Sequence, residues 1–190
     1  RTVERVLAKL GSDRVGLVIF AGQAYVQCPL TTDYSALKLF LNTISPDLIA
    51  IQGTALGEAI DVSVLAFKNS PESNRSILLI TDGENHEDDP VAAAARAREK
   101  GISVHIIGLA TPEGAPIPKY DKSGRKVGFI QGADGSPVVS RLEETVLVAT
   151  ATAGDGSFTR AKKSFVNIGP IINALNSAEK TRTSNVRFTD

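Results

Sequence analysis

Thr54 and Asp82 are the two side chains whose types and settings could do chemistry together. Thr54 lies in Gln52-Gly53-Thr54-Ala55-Leu56-Gly57, which opens a helix, and Asp82 in Leu78-Leu79-Ile80-Thr81-Asp82-Gly83-Glu84, where an apolar strand ends in an acidic turn. In a parallel α/β sheet the carboxyl ends of the strands line the crevice where ligands sit. A hydroxyl and a carboxylate delivered there can share one hard divalent cation, because such ions take oxygen ligands. Each residue also has a purely structural reading. Thr54 can cap the helix it begins, which is compatible with ligation by the same oxygen, and Asp82 can form a turn before Gly83.

Three further groups invite a chemical reading and are better explained otherwise. The acidic string Glu84, Glu87, Asp88 and Asp89 with His86 reads as a solvated loop whose acids favour the positive end of the next helix. His105 lies among Val104, Ile106 and Ile107, the setting of a core or half-buried strand histidine. Lys119, Lys122, Arg125 and Lys126 stand near Tyr120 and Phe129, but no nucleic-acid motif accompanies them, so they read as a solvated, partner-facing loop. The 21 basic and 21 acidic side chains cancel, so no global field draws the chain to nucleic acid or an anionic membrane.

The elements that must position these residues follow from the hydrophobic pattern. Val3, Val6, Leu7 and Leu10 keep helical spacing and stop at Gly11. The apolar run from Arg14 to Ala21 predicts a strand covered on both faces, turned by Gly22-Gln23 into a second arm from Ala24 to Pro29. Asp33 caps a helix carrying Leu37, Phe40, Leu41 and Ile44, which ends before Pro46. A helix from Thr54 to about Lys68, a buried strand from Ser76 to Thr81, an alanine-rich helix capped by Asp89-Pro90 and ending at Lys100-Gly101, and a third strand from Ser103 to Leu109 follow in turn. That rhythm means βαβ crossovers and a mainly parallel sheet with helices on both faces.

Between about 112 and 141 the prolines and glycines break the rhythm. Lys126-Val127-Gly128-Phe129-Ile130 and Ser136-Pro137-Val138-Val139-Ser140 flank Gln131 to Gly135 and predict an inserted β-hairpin. A helix from Leu142 to Ala153, a short strand from Ser157 to Arg160 and a helix around Ile168 to Ala178 complete a domain over residues 1–178, with 179–190 as a polar tail or tether. At 190 residues, 42% hydrophobic and 22% charged, one globular domain is the expectation. Cys28 is the only cysteine, which excludes an intramolecular disulfide, and its apolar strand-like setting predicts packing. No apolar run approaches the roughly 18 residues that cross a bilayer, and nothing at Arg1 resembles a signal peptide or initiator methionine, so the chain reads as a soluble piece of something larger.

Taken together, these features resemble the von Willebrand factor A (VWA) superfamily, and within it the Bat (aerotolerance-type) bacterial membrane-anchored proteins. The residues that carry the resemblance are the run from Asp13 to Gly22, Leu30-Thr31-Thr32-Asp33-Tyr34, Ile44-Ser45-Pro46-Asp47-Leu48, Gln52-Gly53-Thr54-Ala55, Thr81-Asp82-Gly83-Glu84 and the stretch from Gly108 to Pro118. The resemblance implies a Rossmann-like α/β fold and a metal-ion-dependent adhesion site (MIDAS). In that site an Asp-x-Ser-x-Ser loop, a Thr and an Asp hold Mg²⁺ or Mn²⁺, and Thr54 and Asp82 match the last two. It further implies a non-enzymatic interaction module whose partner's Asp or Glu completes the coordination. By the same resemblance the parent is anchored in a bacterial inner membrane with this domain on the periplasmic side, and its partners are a MoxR-type AAA ATPase and sibling VWA or TPR proteins.

The Asp-x-Ser-x-Ser loop is absent from this sequence. Asp61-Val62-Ser63-Val64-Leu65 is a partial lookalike, but it falls mid-helix, where side chains at i and i+2 diverge. The family's first strand sits centrally, between the strands at Arg14 to Ala21 and Ser76 to Thr81. Without it, two rows of unpaired backbone groups and an apolar slot are expected. The sheet then closes by rearrangement, borrows a strand from another chain, or belongs to a chain recorded without its beginning; ladder bonds joining Val18 to Leu79 would mark closure. The competing class is a small-ligand or phosphotransfer enzyme with Asp82 as nucleophile. Against it, Phe20-Ala21-Gly22-Gln23-Ala24 lacks the Gly-x-Gly-x-x-Gly spacing, and neither a P-loop nor a Gly-x-Ser-x-Gly elbow occurs.

Overall fold

Two separate sheets, bridged by helices, carry the fold. The computed structural model describes residues 2–11, 13–44, 53–68, 74–82, 88–109, 114–116, 118–121, 123, 125–132, 134–137, 139–140, 143–161, 168–173 and 175. After the short helix α1 (Thr2–Leu7) come β1 (Val15–Phe20) and β2 (Ala24–Thr31), an antiparallel pair with Val18 opposite Val26 and Phe20 opposite Ala24. The second sheet is parallel, with β3 (Arg75–Thr81), β4 (Ile102–Gly108) and β9 (Phe158–Arg160) in that order. The helices are α2 (Tyr34–Thr43), α3 (Leu56–Ala66), α4 (Pro90–Glu99) and α5 (Glu144–Ala153).

Local chemistry sets most of these boundaries. Asp33 Oδ1 accepts from the N–H groups of Ser35 and Ala36 at 3.0 Å, and Asp89 Oδ1 from that of Ala92 at 3.0 Å, with Pro90 opening α4. Gly101, at φ +68°, takes the left-handed turn that releases the chain from α4 into β4. The period-2 alternation of the buried strands then divides the core. Ile77, Leu79, Val104 and Ile106 pack under α3, α4 and α5, where Ala93, Ala94 and Ala97 are fully buried and let α4 lie close. On the other face, Leu78, Ile80 and Ile107 meet Val6 and Leu10 with Ile168 and Ile171. Leu7 turns the opposite way and packs with Cys28 and Leu37 over β1 and β2.

No ladder joins Val18 to Leu79. Among the described residues β1 pairs only with β2, and β3 only with β4. Between them runs a slot of about 1000 Å³, lined along the whole of both strands, with α1 on one face and α3 on the other. Among the described residues the sheet is therefore not closed by direct pairing of β1 with β3. The apolar run of β1, expected to be covered on both faces, has only Ile19 buried and its other five residues half-buried, because the slot leaves that flank open.

The insertion differs from the single hairpin expected. β7 (Lys126–Phe129) pairs with β6 (Pro118–Tyr120), and β8 (Val139–Ser140) with β5 (Ala115–Pro116), so the hairpins are nested. The cause is Asp121, whose Oδ1 accepts from the N–H groups of Ser123 and Arg125 at 2.9 and 3.0 Å and reverses the chain earlier than the glycine signal does. The predicted turn at 131–135 also forms, with Gln131 bridged to Pro137 and the Gly132 N–H donating to Ser136 O at 2.8 Å. The C-terminal helix is seen at 169–173, while the tail at 179–190 lies outside the described residues. Among the described residues no helix is long and apolar enough to cross a membrane.

His105 is a core histidine, 4% exposed. Its Nδ1 accepts from the Ser157 N–H at 3.1 Å, and its Nε2 lies 3.3 Å from Ser103 Oγ, itself 2.8 Å from Ser76 Oγ. An Nδ1 that accepts a backbone N–H belongs to a neutral ring. Burial accordingly pushes the His105 pKa below its usual 6.5, with Asp155 pulling weakly the other way. With the folded-state pKa depressed, the unfolded chain binds the extra proton first. Its contribution to stability is therefore complete above about pH 6.5 and is lost as the pH falls through the folded-state value, at no more than about 1.4 kcal/mol per pH unit. His105→Gln should show a flatter stability profile than the wild type between pH 6.5 and 5.5 in urea denaturation; parallel profiles would refute this account.

Candidate functional site

The rim where β1 and β3 end is assembled by α3. The Ala55 N–H donates to Ala21 O at 2.7 Å, tying the start of α3 to the end of β1. Gly53, at φ +139°, makes the turn just ahead of Thr54 in a region that side chains rarely adopt. β3 follows α3 in the chain, and its Ile77 and Leu79 share the core cluster with that helix. The Leu109 N–H donates to Thr81 O at 2.8 Å and holds the ends of β3 and β4 together, and Asp82 follows directly, exposed.

Thr54 and Asp82 line the same slot. Thr54 is half-buried, and neither its hydroxyl nor the Asp82 carboxylate enters a hydrogen bond or ion pair among the described residues. The expectation that Thr54 caps α3 is not met. The cap position is Ala55, with no side-chain bond, and the first N–H groups of the helix are taken by Asp88: Gly57 N donates to Oδ1 at 3.0 Å and Glu58 N to Oδ2 at 2.8 Å. Gly57 makes room for this, since a Cβ there would lie 2.9 Å from Asp88 Oδ2. A carboxylate on the positive end of a helix is favourable, and here it leaves the Thr54 hydroxyl unengaged.

Asp88 is the residue that sequence reasoning placed in a solvated loop and underestimated. The available signal was Gly57, a poor helix former in the first turn of an otherwise apolar helix. Its neighbour Asp89 caps α4, so two consecutive acids serve two helices. Gly83, Glu84, His86 and Glu87 lie outside the described residues.

The donor set at the rim is oxygen only, which suits a hard cation. Two protein oxygens leave most of an octahedron to other groups, and among the described residues no cluster of three His, Cys, Asp or Glu side chains could hold a metal by itself. The lookalike in α3 is engaged elsewhere: Asp61 Oδ2 pairs with Arg96 at 2.6 Å, and Ser63 Oγ donates to Ala59 O at 2.7 Å. In the insertion, Arg125 pairs with Asp121 at 3.1 Å and Lys126 stands 4.2 Å over the Phe129 ring. Lys122 lies outside the described residues. Burial, reinforced by Asp33, pushes the Cys28 thiol up and away from reactivity.

The family model of the von Willebrand factor type A domain matches residues 1–126. Among solved structures, the conserved hypothetical protein BatB of Bacteroides thetaiotaomicron is similar at a TM-score of 0.81 and 38% identity, over 96% of this chain and 85% of that one. An aerotolerance-related membrane protein of Bacteroides fragilis, carrying multiple mutations to serine, gives 0.81 and 37% over 94% and 87%. Proximal thread matrix protein 1 of the mussel byssus, with a zinc-occupied MIDAS motif, shares the fold at 0.63 and 16% identity, over 93% of this chain and 39% of that one. The chain spans less than half the length of the curated bacterial relatives it matches.

Asp88 and Gly57 should be energetically coupled. Asp88→Ala is expected to cost about 1 kcal/mol, the usual loss for a removed cap. Gly57→Ala should destabilise the wild type by displacing the carboxylate, yet stabilise the Asp88→Ala protein by up to about 1 kcal/mol, as alanine does in an ordinary helix. Denaturant unfolding of the four proteins measures this, and the same sign in both backgrounds would contradict it.

Proposed function

Because the chain belongs to the von Willebrand factor type A domain family, we propose that it is a non-enzymatic protein-interaction module built around a metal-ion-dependent adhesion-type site. Thr54 and Asp82 contribute to Mg²⁺ or Mn²⁺ coordination, directly or through water. The observation that carries this reading is that a hydroxyl ahead of α3 and a carboxylate at the end of β3, neither engaged among the described residues, line one slot. An Asp-x-Ser-x-Ser loop, waters and a carboxylate from the partner supply the remaining positions. The ion would turn a neutral surface into a receptor for an acidic side chain. The zinc in the MIDAS of the byssus protein supports a divalent ion at such a site in this fold.

The proposed setting follows the Bat-type relatives. One of them is named a membrane protein, which supports a membrane-anchored parent, and we place this domain on its periplasmic side as part of the same proposal. Within that assembly the proposed partners are a MoxR-type AAA ATPase and sibling VWA or TPR proteins. Residues 1–178 form the module, and 179–190 a tether leading out of it.

Calorimetric titration of Mg²⁺ and Mn²⁺ tests the site, using this chain and a version extended ahead of Arg1 by a strand and an Asp-x-Ser-x-Ser loop. The extended version should bind, more tightly when a carboxylate ligand is added. Thr54→Ala should weaken binding about tenfold and Asp82→Ala about a hundredfold, on the scale where 1.4 kcal/mol is tenfold. Failure of the extended protein to bind either ion would refute the adhesion site, and a covalent phospho-aspartate at Asp82 would replace it with phosphotransfer chemistry.

A further inference from the structure

The insertion between β4 and α5 gathers positive charge and exposed apolar surface on one short strand. Between residues 114 and 132 stand Lys119, Lys122, Arg125 and Lys126 against Asp121 alone, in a chain whose 21 basic and 21 acidic side chains cancel. Asp121 is engaged within the ribbon, since its Oδ2 pairs with Arg125 at 3.1 Å. Lys119 and Lys126 are exposed, and no ion pair among the described residues takes up either of them. Val127, Phe129 and Ile130 are 57%, 39% and 44% exposed, and the Lys126 ammonium lies 4.2 Å over the Phe129 ring. A patch of this composition attracts an acidic partner that carries apolar side chains of its own.

The backbone decides the form of that partner. β6 and β7 make a two-stranded ribbon, so each has a second edge without a ladder among the described residues. On the β6 side that edge is poor in donors, because Pro116 ahead of it and Pro118 within it have no N–H to give. β7 holds no proline and keeps all its donors. Its Gly128, at φ +148°, takes a backbone conformation that side chains rarely adopt, and open space surrounds the position a Cβ would occupy. Another backbone can therefore come close to β7. A bilayer cannot take the same place, since burying Val127 and Phe129 in lipid would strip water from an open strand edge that hydrocarbon leaves unsatisfied. A second copy of the same edge is disfavoured by its own lysines.

We propose that the open edge of β7 docks an extended acidic segment of a protein partner, which adds to the ribbon as a third strand of about four to six residues. Its carboxylates face Lys119 and Lys126, and its apolar side chains cover Val127 and Phe129. Backbone hydrogen bonds supply the affinity, and the lysines and apolar pair select the partner. The insertion leaves the carboxyl end of β4, which is level with that of β3, so it stands at the end of the sheet where Asp82 follows. The docking edge takes no part in the cation site and holds whether or not that site binds metal.

The test adds the peptide Glu-Val-Glu-Val-Glu-Val to the whole chain in EDTA, followed by NMR shifts and amide hydrogen exchange. Saturating peptide should slow exchange at the β7 amides roughly fivefold or more and leave the core helices unchanged. Lys119→Glu combined with Lys126→Glu should weaken binding about tenfold, and added salt should weaken binding to the wild type more than to this variant. The same peptide with every amide N-methylated, equal in charge, should not protect β7, and Lys-Val-Lys-Val-Lys-Val should not bind. No protection of β7 at millimolar peptide, protection by the methylated peptide, or equal binding of the basic peptide would overturn the docking edge. So would unchanged affinity in the charge-reversed protein when its core exchange matches the wild type. Protection of β7 by vesicles of phosphatidylserine and phosphatidylcholine, and not by the peptide, would replace the partner strand with a membrane surface.

Discussion

Backbone hydrogen bonding along two strand edges governs the rest of this structure. A strand inside a parallel sheet has partners on both sides, and β4 achieves this between β3 and β9. Among the described residues β1 and β3 are each laddered on one side only, and their facing edges line a slot. What keeps the two sheets in one body is apolar packing above and below. α1 sends Leu7 to one sheet and Val6 to the other, and α3 packs with Ile77 and Leu79 while Phe20 and Ala24 close on the same cluster. Hydrophobic contact is non-directional and tolerates the gap; ladder hydrogen bonds would not.

This division gives the rim its particular character. Thr54 belongs to the first sheet, because the next residue's N–H is bonded to the end of β1, and Asp82 belongs to the second, as the residue after β3. The separation between the two oxygens is therefore set by the width of the slot, not by any local turn. Asp88 adds a cross-tie: it follows β3 in the chain but bonds the first turn of α3, the helix that begins just after Thr54. Asp88 and Asp89 each lie on the positive end of a helix, a favourable place for a carboxylate.

Elements governed by neighbours in sequence were legible. Asp33 and Asp89 cap where an Asp before an apolar-periodic run should, Gly101 releases α4, and β3 and β4 read as unbroken apolar runs. The nested hairpins were read less well. Glycine and proline marked the turn at 131–135, but the reversal at Asp121 depends on a side-chain carboxylate gathering two backbone N–H groups, which composition does not reveal. Thr54 shows the same limit from the other side. By type and position it is a natural cap, and the structure gives that role to a carboxylate more than thirty residues away that the tertiary fold places at the helix end.

By itself, the sequence determined the order of strands and helices, the polarity of the parallel strands, the burial of His105 and Cys28, and the identity of one hydroxyl and one carboxylate at successive strand–helix boundaries. These are consequences of periodicity, capping and side-chain type, all short-range. Only the tertiary structure decided that Thr54 and Asp82 share a slot, that Asp88 replaces Thr54 at the helix end, and that β1 and β3 stay apart. Each of those depends on which distant backbone groups find partners, and hydrogen-bond pairing between remote segments is fixed by three-dimensional packing, not by the residues adjacent in the chain.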